Sequence, residues 1–384
     1  MSVSTISYLT TVKFGYGALA TLPDGMVGLK IERPLIVTDL GVRRAGLADR
    51  VIAQCGDRNA SVFDAVPSNP TEAAAKAACA QFHADGCDGI VAIGGGSPID
   101  LAKACALLAT HDGTLAEYAA VAGGAAKIRP DMPPVIAVPT TAGTGAEVGR
   151  AAIIVLEDGR KLGLVSPYLF PRLAICDPEL TLGLPPGLTA ATGMDALTHC
   201  VETYLATAVN PPADAIALEG LGRCGACLER ATSHGDDREA RWSMMMAALE
   251  GAMAFQKGLG AVHAMSHALG GLKDVALHHG ALNAVLLPTV LRFNADVVGS
   301  KYPVLARTLG LDPETDLASW VEALNARLKL PASLAEMGVR AEHLDGVAAF
   351  AVKDHTSATN PKPVTEVDYR RMLDAAMQPA RALN

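Results

Sequence analysis

One carboxylate and a set of imidazoles at helical spacing carry the strongest chemical signal in this chain. Asp195 and His199 stand four residues apart, and His263 and His267 repeat that spacing. His278-His279-Gly280 follows, so six of the ten histidines fall between Asp195 and His279. Residues i and i+4 share a helix face. Two such faces on different helices can converge on one ion. Neutral imidazoles with one carboxylate suit Fe(II) or Zn(II) and leave room for a substrate oxygen. An ion there would act as a Lewis acid on an alcohol or carbonyl oxygen. His83, His111, His234, His343 and His355 read as ordinary core or surface histidines.

The first half of the chain supplies a partner for that chemistry. Thr11–Gly17, Pro34–Asp39, Ala60–Val66, Gly89–Ile93, Pro134–Val138 and Leu173–Asp177 read as short strands, most of them apolar runs closed by glycine or an acid. Helical patterns lie between them: one runs through about Cys55, one starts at Asn69-Pro70-Thr71-Glu72 and runs to about Asp85, and one runs through Leu108. Asp158-Gly159 marks a hairpin between Ala151–Leu156 and Leu162–Ser166. Strands alternating with helices imply an α/β fold with a doubly wound parallel sheet.

Gly94-Gly95-Gly96-Ser97 directly follows a strand and opens a helix. Its backbone N–H groups and the helix N-terminus could cradle a pyrophosphate, although a plain tight turn would look the same. Thr140–Gly145, after the next strand, adds hydroxyls on flexible backbone. Asp39 ends another strand, where a carboxylate accepts from an adenosine ribose and repels a 2′-phosphate. That favours NAD over NADP. The bland reading of Asp39 is a helix N-cap.

After Pro185-Pro186 the strand signal stops. Helical patterns run over Ala190–Ala206, Asp214–Ser233, Glu239–Phe255, Ala261–Leu272, His279–Phe293 and Thr315–Leu328, and the last 55 residues continue in this style. The expected division is 1–184 as an NAD-binding α/β domain and 185–384 as an all-helical metal-binding domain.

Composition narrows the class. The chain has 384 residues, 50% hydrophobic and 19% charged, as a globular protein of two domains would. Aromatics are 4% against abundant alanine and glycine, so helices must pack by close backbone approach. The net charge of −8 disfavours nucleic acid and anionic membrane as partners. No apolar run reaches membrane-spanning length, and the first seven residues lack the basic and apolar regions of a signal peptide. Eight scattered cysteines read as thiols in a reducing compartment, hence a cytoplasmic protein. Cys224 and Cys227 have CxxC spacing without a second pair and read as two small residues on a helix.

Taken together, the motifs resemble one family, the iron-containing (group III) alcohol dehydrogenases. They are Phe14-Gly15-Tyr16-Gly17, Gly94–Ser97 with Asp100, Pro139–Thr144 with Glu147-Val148, Gly193–His199, Gly258–His267, His279-Gly280 and Asn360-Pro361. They run nearly end to end in the family's order. The resemblance implies a Rossmann-like N-terminal domain and a helical C-terminal domain, an architecture shared with dehydroquinate synthase, with the active site in the cleft between them. It implies metal ligands at Asp195, His199, His263 and His279, and favours Fe(II) over Zn(II). It puts the pyrophosphate on Gly95, Gly96 and Ser97, with Asp100, Thr140, Thr144, Lys161 and Thr181 around the rest of the NAD. Asp39 matches the position that favours NAD. His267 matches a histidine beside the metal that is not a ligand, and is the expected proton relay. Homodimers are common in the family.

The sequence departs from the family pattern in three places. Phe255–Gly258 is one residue short, Leu272–His279 is about two residues long, and Gly149 stands before Arg150 where threonine is more frequent. The longer stretch leaves the fourth ligand open between His278 and His279. Gly280 follows His279 as in the family, which selects His279.

The expected activity is interconversion of a small alcohol, or hydroxy acid, and its aldehyde or ketone with NAD(H). Arg150 could meet a substrate carboxylate, or could form a salt bridge at an interface. The alternative is a dehydroquinate synthase-like lyase using NAD and zinc, but it needs many basic residues for a phosphorylated substrate, and the helical half offers few Lys or Arg near the ligand motifs. A non-catalytic NAD or metal sensor finds no support in a chain with the ligand set and His267 intact.

Overall fold

The computed structural model describes residues 10–379, and the N-terminal stretch read above for a signal peptide lies outside them. Packing divides them into two compact units, 10–184 and 185–379. Among the described residues no helix is long and apolar enough to cross a membrane.

The first unit runs β1 (Thr11–Phe14), α1 (Leu22–Gly28), β2 (Pro34–Val37), α2 (Leu40–Arg44), α3 (Leu47–Gln54), β3 (Ser61–Phe63) and α4 (Glu72–Ala84). It continues with β4 (Gly89–Gly94), α5 (Gly96–Leu108), β5 (Val135–Pro139), β6 (Ala151–Val155), β7 (Lys161–Val165) and β8 (Leu173–Cys176). Six strands form a sheet in the order β1-β8-β5-β4-β2-β3, and every pairing in it is parallel. β2, β4, β5 and β8 are buried along their whole length, which explains why they are uniformly apolar. From β2 the chain goes outward to β3, then returns past it to β4. The order therefore reverses between β2 and β4. The carboxyl ends on either side of such a switch point are where open α/β sheets bind ligands. Here those ends carry Asp39 and Gly94–Ser97.

The expected single helix after β2 is broken in two at Gly46, whose φ of 71° lies in the left-handed region. The expected hairpin is a separate antiparallel pair, β6 with β7. A buried ion pair ties it to α5. Asp100 accepts from the Lys103 ammonium at 3.4 Å and from the Ile153 N–H at 3.1 Å. Lys103 donates in turn to the Gly149 and Ala151 carbonyls at 3.0 and 2.6 Å.

The second unit runs α6 (Pro186–Leu205), α7 (Pro211–Ser233), α8 (Arg238–Ala254), α9 (Ala261–Gly270) and α10 (His279–Asn294). Then α11 (Lys301–Thr308), α12 (Leu317–Arg327), α13 (Leu344–Ala351) and α14 (Glu366–Ala376) complete it. α6 begins with proline, whose fixed φ suits a first helical turn. It is buried on nearly every side from Thr189 onward. Two of its hydroxyls bond back along the helix, Thr192 to the Leu188 carbonyl and Thr198 to the Met194 carbonyl.

Small residues let other helices reach α6. Gly251 of α8 packs where an added Cβ would lie 3.1 Å from the His199 Cβ. Gly280 of α10 lies so close that an added Cβ would fall on the Ala191 carbonyl. α10 contains Pro288, which cannot donate to the Ala284 carbonyl four residues back. The Asn325 amide of α12 takes that carbonyl instead, at 2.7 Å.

Glu147 is buried in the turn after the β5 loop, and burial pushes its carboxyl up from 4.5 to about 7, against pulls from a backbone bond and Lys103. The folded state thus holds this proton more tightly than the unfolded chain. That contribution to stability is complete below the unfolded value of 4.5 and is lost as pH rises through about 7. Glu147→Gln should therefore raise Tm at about pH 8 and leave it unchanged near pH 4, read by thermal unfolding.

Candidate functional site

In the helical unit, α6, α9 and α10 bring one carboxylate oxygen and three imidazole nitrogens together. Asp195 Oδ1 lies 3.6 Å from His199 Nε2, 3.7 Å from His263 Nε2 and 3.7 Å from His279 Nε2. Asp195, His263 and His279 offer ligand atoms all within 4.8 Å of one another. His199 stands outside that mutual group, but its ring stacks on His263 with centroids 4.7 Å apart. Asp195, His199 and His263 are each no more than 3% exposed. His279 opens α10 and is half-buried, whereas His278, the cap before it, is exposed.

Electrostatics explains why these groups gather. Burial works to raise the Asp195 carboxyl, but His199, His279 and His263 outweigh it and hold it far below the usual range. Burial likewise lowers His263, and hydrogen bonds to Asp195 and Glu202 overcome it, raising the imidazole to about 9. Asp195 is thus a buried carboxylate kept ionised by the imidazoles around it.

The donor set fits a divalent ion. Ligand atoms about 2.1 Å from a tetrahedral ion lie about 3.4 Å apart, close to the separations from Asp195 Oδ1. The Asn283 amide nitrogen sits over the same point, 2.7 Å from Asp195 Oδ1, 3.2 Å from His263 Nε2 and 3.3 Å from His279 Nε2. Its own Oδ1 is buried with no hydrogen-bond partner. Acceptors converge on this point, and one amide is an incomplete answer to them.

His267, on the same helix as His263, lies beside the cluster. Its ring stacks on His279 with centroids 5.7 Å apart and planes 9° apart. Its Nδ1 is 3.0 Å from Asp354 Oδ2. Burial raises the Asp354 carboxyl, but His267 and His355 outweigh it and hold it well below the usual range. The His355 ring also stacks with His267, with centroids 6.0 Å apart. It is thus a neighbour of the site rather than the unremarkable histidine expected from sequence.

Glu202, Asn283 and Asp354 were not anticipated. Two had a signal. Glu202 continues the Asp195 and His199 face at i+7, and Asn283 is four residues after His279. Asp354 had none, because it reaches His267 across 87 residues of chain.

In the α/β unit, Gly95 caps α5 without a side-chain bond, so the first N–H groups of this 13-residue helix lack a side-chain cap. A Cβ on Gly95 would come within 3.3 Å of Thr141 Oγ1, and one on Gly96 within 3.0 Å of Thr144 Oγ1. Ser97 Oγ donates to the Ser68 carbonyl at 2.6 Å. The buried Thr140 continues β5, its N–H bonded to the Gly94 carbonyl at 2.9 Å. Asp39 Oδ1 caps α2, accepting from Gly41 and Val42 at 2.7 and 3.0 Å. The cap uses one oxygen of that carboxylate.

The other expected cofactor residues lie deeper. Lys161, on β7, donates to Asn69 Oδ1 at 2.9 Å. Asp100 bonds Lys103 and Ile153 as described above. Thr181 is buried with its hydroxyl on the Pro178 carbonyl at 2.8 Å. Arg150, before β6, is exposed and makes no ion pair among the described residues.

Comparison with known proteins gives these sites a class. The profile described as "Iron-containing alcohol dehydrogenase" matches residues 10–178, and that described as "Fe-containing alcohol dehydrogenase family, C-terminal" matches 189–377. This chain belongs to the iron-containing alcohol dehydrogenase family. It is an oxidoreductase that interconverts alcohols and carbonyl compounds with NAD(H) and a metal, iron by family. Family membership decides against the lyase alternative.

It is 55% identical over 379 residues to a 4-hydroxybutyrate dehydrogenase of Cupriavidus necator, covering 97% of this chain and 99% of that one. A crystal structure of 1,3-propanediol oxidoreductase superposes with a TM-score of 0.91 at 34% identity, over 97% of this chain and 100% of the other. A sulfoacetaldehyde reductase from Bifidobacterium kashiwanohense, solved in complex with NAD+, superposes with a TM-score of 0.87 at 27% identity, over 98% and 99% of the two chains.

The closeness of α10 to α6 yields a test. Gly280→Ala must push α10 away from Ala191, moving His279 from Asp195. Overpacking of this kind costs about 1–3 kcal/mol. The variant should show a lowered Tm and less than stoichiometric metal by elemental analysis. Unchanged values of both would contradict the packing argument.

Proposed function

We propose that Asp195, His199, His263 and His279 hold the divalent metal and that residues 185–384 form the metal-binding domain. Residues 1–184 form the NAD-binding domain, with the pyrophosphate on Gly95, Gly96 and Ser97. Thr140, Thr144, Lys161, Asp100 and Thr181 shape the rest of that site, the last two through the backbone they brace. Asp39 disfavours a 2′-phosphate and selects NAD. The observation that carries this reading is the convergence of Asp195 Oδ1 with His263 and His279 on one buried point.

A metal in this set supplies Lewis-acid polarisation of the substrate oxygen. The chain's own residues do the rest. Asn283 orients the Asp195 carboxylate through a 2.7 Å bond. Asp354 accepts from His267 Nδ1, which leaves Nε2 as the atom that takes the hydroxyl proton during oxidation and returns it during reduction. The uncapped turn of α5 offers backbone N–H groups to a diphosphate.

The substrate we infer is an ω-hydroxy acid, 4-hydroxybutyrate or a near homologue, with its semialdehyde as product. The 55% identity to a 4-hydroxybutyrate dehydrogenase supports it. We further infer a homodimer, as in the resembling family, and a cytoplasmic location. The eight cysteines, all free thiols, support the latter.

Turnover read by NADH absorbance, with Fe(II) and with Zn(II), tests the whole. Activity on 4-hydroxybutyrate should exceed that on 1-butanol by at least about tenfold in kcat/KM, that is about 1.4 kcal/mol or more. Asp195→Ala should lose metal and activity together, on the order of a thousandfold in rate. Full activity in metal-free Asp195→Ala would sink the metal assignment. Equal rates on both alcohols would remove only the hydroxy acid.

A further inference from the structure

α9 carries His263 and His267, yet its start lacks a local cap. Its N-cap is Gly260, which has no side chain to accept from the first turn. Two groups from distant elements do so. Asn360 Oδ1 accepts from the Ala261 N–H at 3.2 Å. Glu202 of α6 accepts from the Val262 N–H at 2.7 Å through Oε1 and from the His263 N–H at 3.4 Å through Oε2. Gly260 is needed for this, since an added Cβ would lie 2.8 Å from both Glu202 Oε1 and Asn360 Oδ1.

The same Oε2 stands 2.6 Å from His263 Nδ1. Glu202 is 4% exposed and shares the α6 face that presents Asp195 and His199. A buried carboxylate can only accept here, so Nδ1 carries a proton and Nε2, which faces Asp195, is the nitrogen left to bind an ion.

We propose that Glu202 is a positioning residue that fixes the His263 tautomer and aims Nε2 at the metal, while anchoring the start of α9. It joins the orientation of one ligand to the backbone that carries His267. The inference rests on the reading of His263 as a ligand.

Glu202→Gln separates the two roles. Its amide oxygen can still accept from the Val262 N–H. Its amide nitrogen would donate toward His263 Nδ1, which forces the imidazole proton onto Nε2, against the metal. Chelator-competition titration with Zn(II) should show affinity about 10- to 100-fold weaker than wild type. A cooperative thermal transition in the metal-free variant shows that it folds. ¹⁵N NMR of the Zn(II)-loaded wild type should show His263 protonated at Nδ1 and coordinated through Nε2.

Wild-type affinity in Glu202→Gln would overturn the proposal and leave Glu202 a helix cap. So would coordination through Nδ1 in the wild type, a result that stands even if the variant does not fold. His263→Ala is the control for the underlying reading. If it keeps wild-type Zn(II) affinity, the ligand assignment fails, whatever Glu202→Gln shows.

Discussion

The helical unit is built around one buried charge. Asp195 is 2% exposed on a helix that is buried on nearly every side. An isolated carboxylate in such a place is strongly disfavoured and persists only with compensating positive charge and hydrogen bonds. His199 comes from its own helix, His263 from α9 and His279 from α10, so three helices must approach closely. That need accounts for the small residues at the crossings, above all Gly280 against Ala191 and Gly251 against His199. It accounts also for Asn325, which repairs the carbonyl that Pro288 abandons inside α10.

Around the ligand atoms lies a second set of polar groups, each fixing one ring or carboxylate. Glu202 holds His263, Asn283 holds Asp195, and Asp354 holds His267. Such partners decide which nitrogen of an imidazole carries its proton. In the α/β unit the constraint is different. Buried parallel strands end at a switch point, and Gly95 and Gly96 keep that edge open enough for backbone N–H groups to be reached.

Much of this was legible in the sequence because it is local. The short apolar runs at Pro34–Val37, Gly89–Gly94 and Val135–Pro139 are the central strands, and Asp39, Gly94 and Pro139 mark their ends. Asp195 and His199 show by their i, i+4 spacing that they share a helix face, and the family resemblance makes them ligands. Glu202 was as legible as His199, because i+7 shares the face, but a glutamate on a helix draws less notice than a histidine. The break at Gly46 escaped because the apolar pattern continues through it while the backbone turns left-handed. His278 and His279 could not be separated by chemistry. Neighbouring residues at a helix start point in different directions, and only the fold decides which faces the cluster. Asp354 and His355 were beyond local reading, since their role exists only once α9 meets the turn after α13.

X-ray absorption on the purified, metal-loaded protein, paired with an anomalous-difference map from its crystals, tests the central claim most directly. The account predicts one divalent ion per chain, bound by an Asp195 oxygen and the Nε2 atoms of His199, His263 and His279. An ion bound elsewhere, or a shell without Asp195, would contradict it.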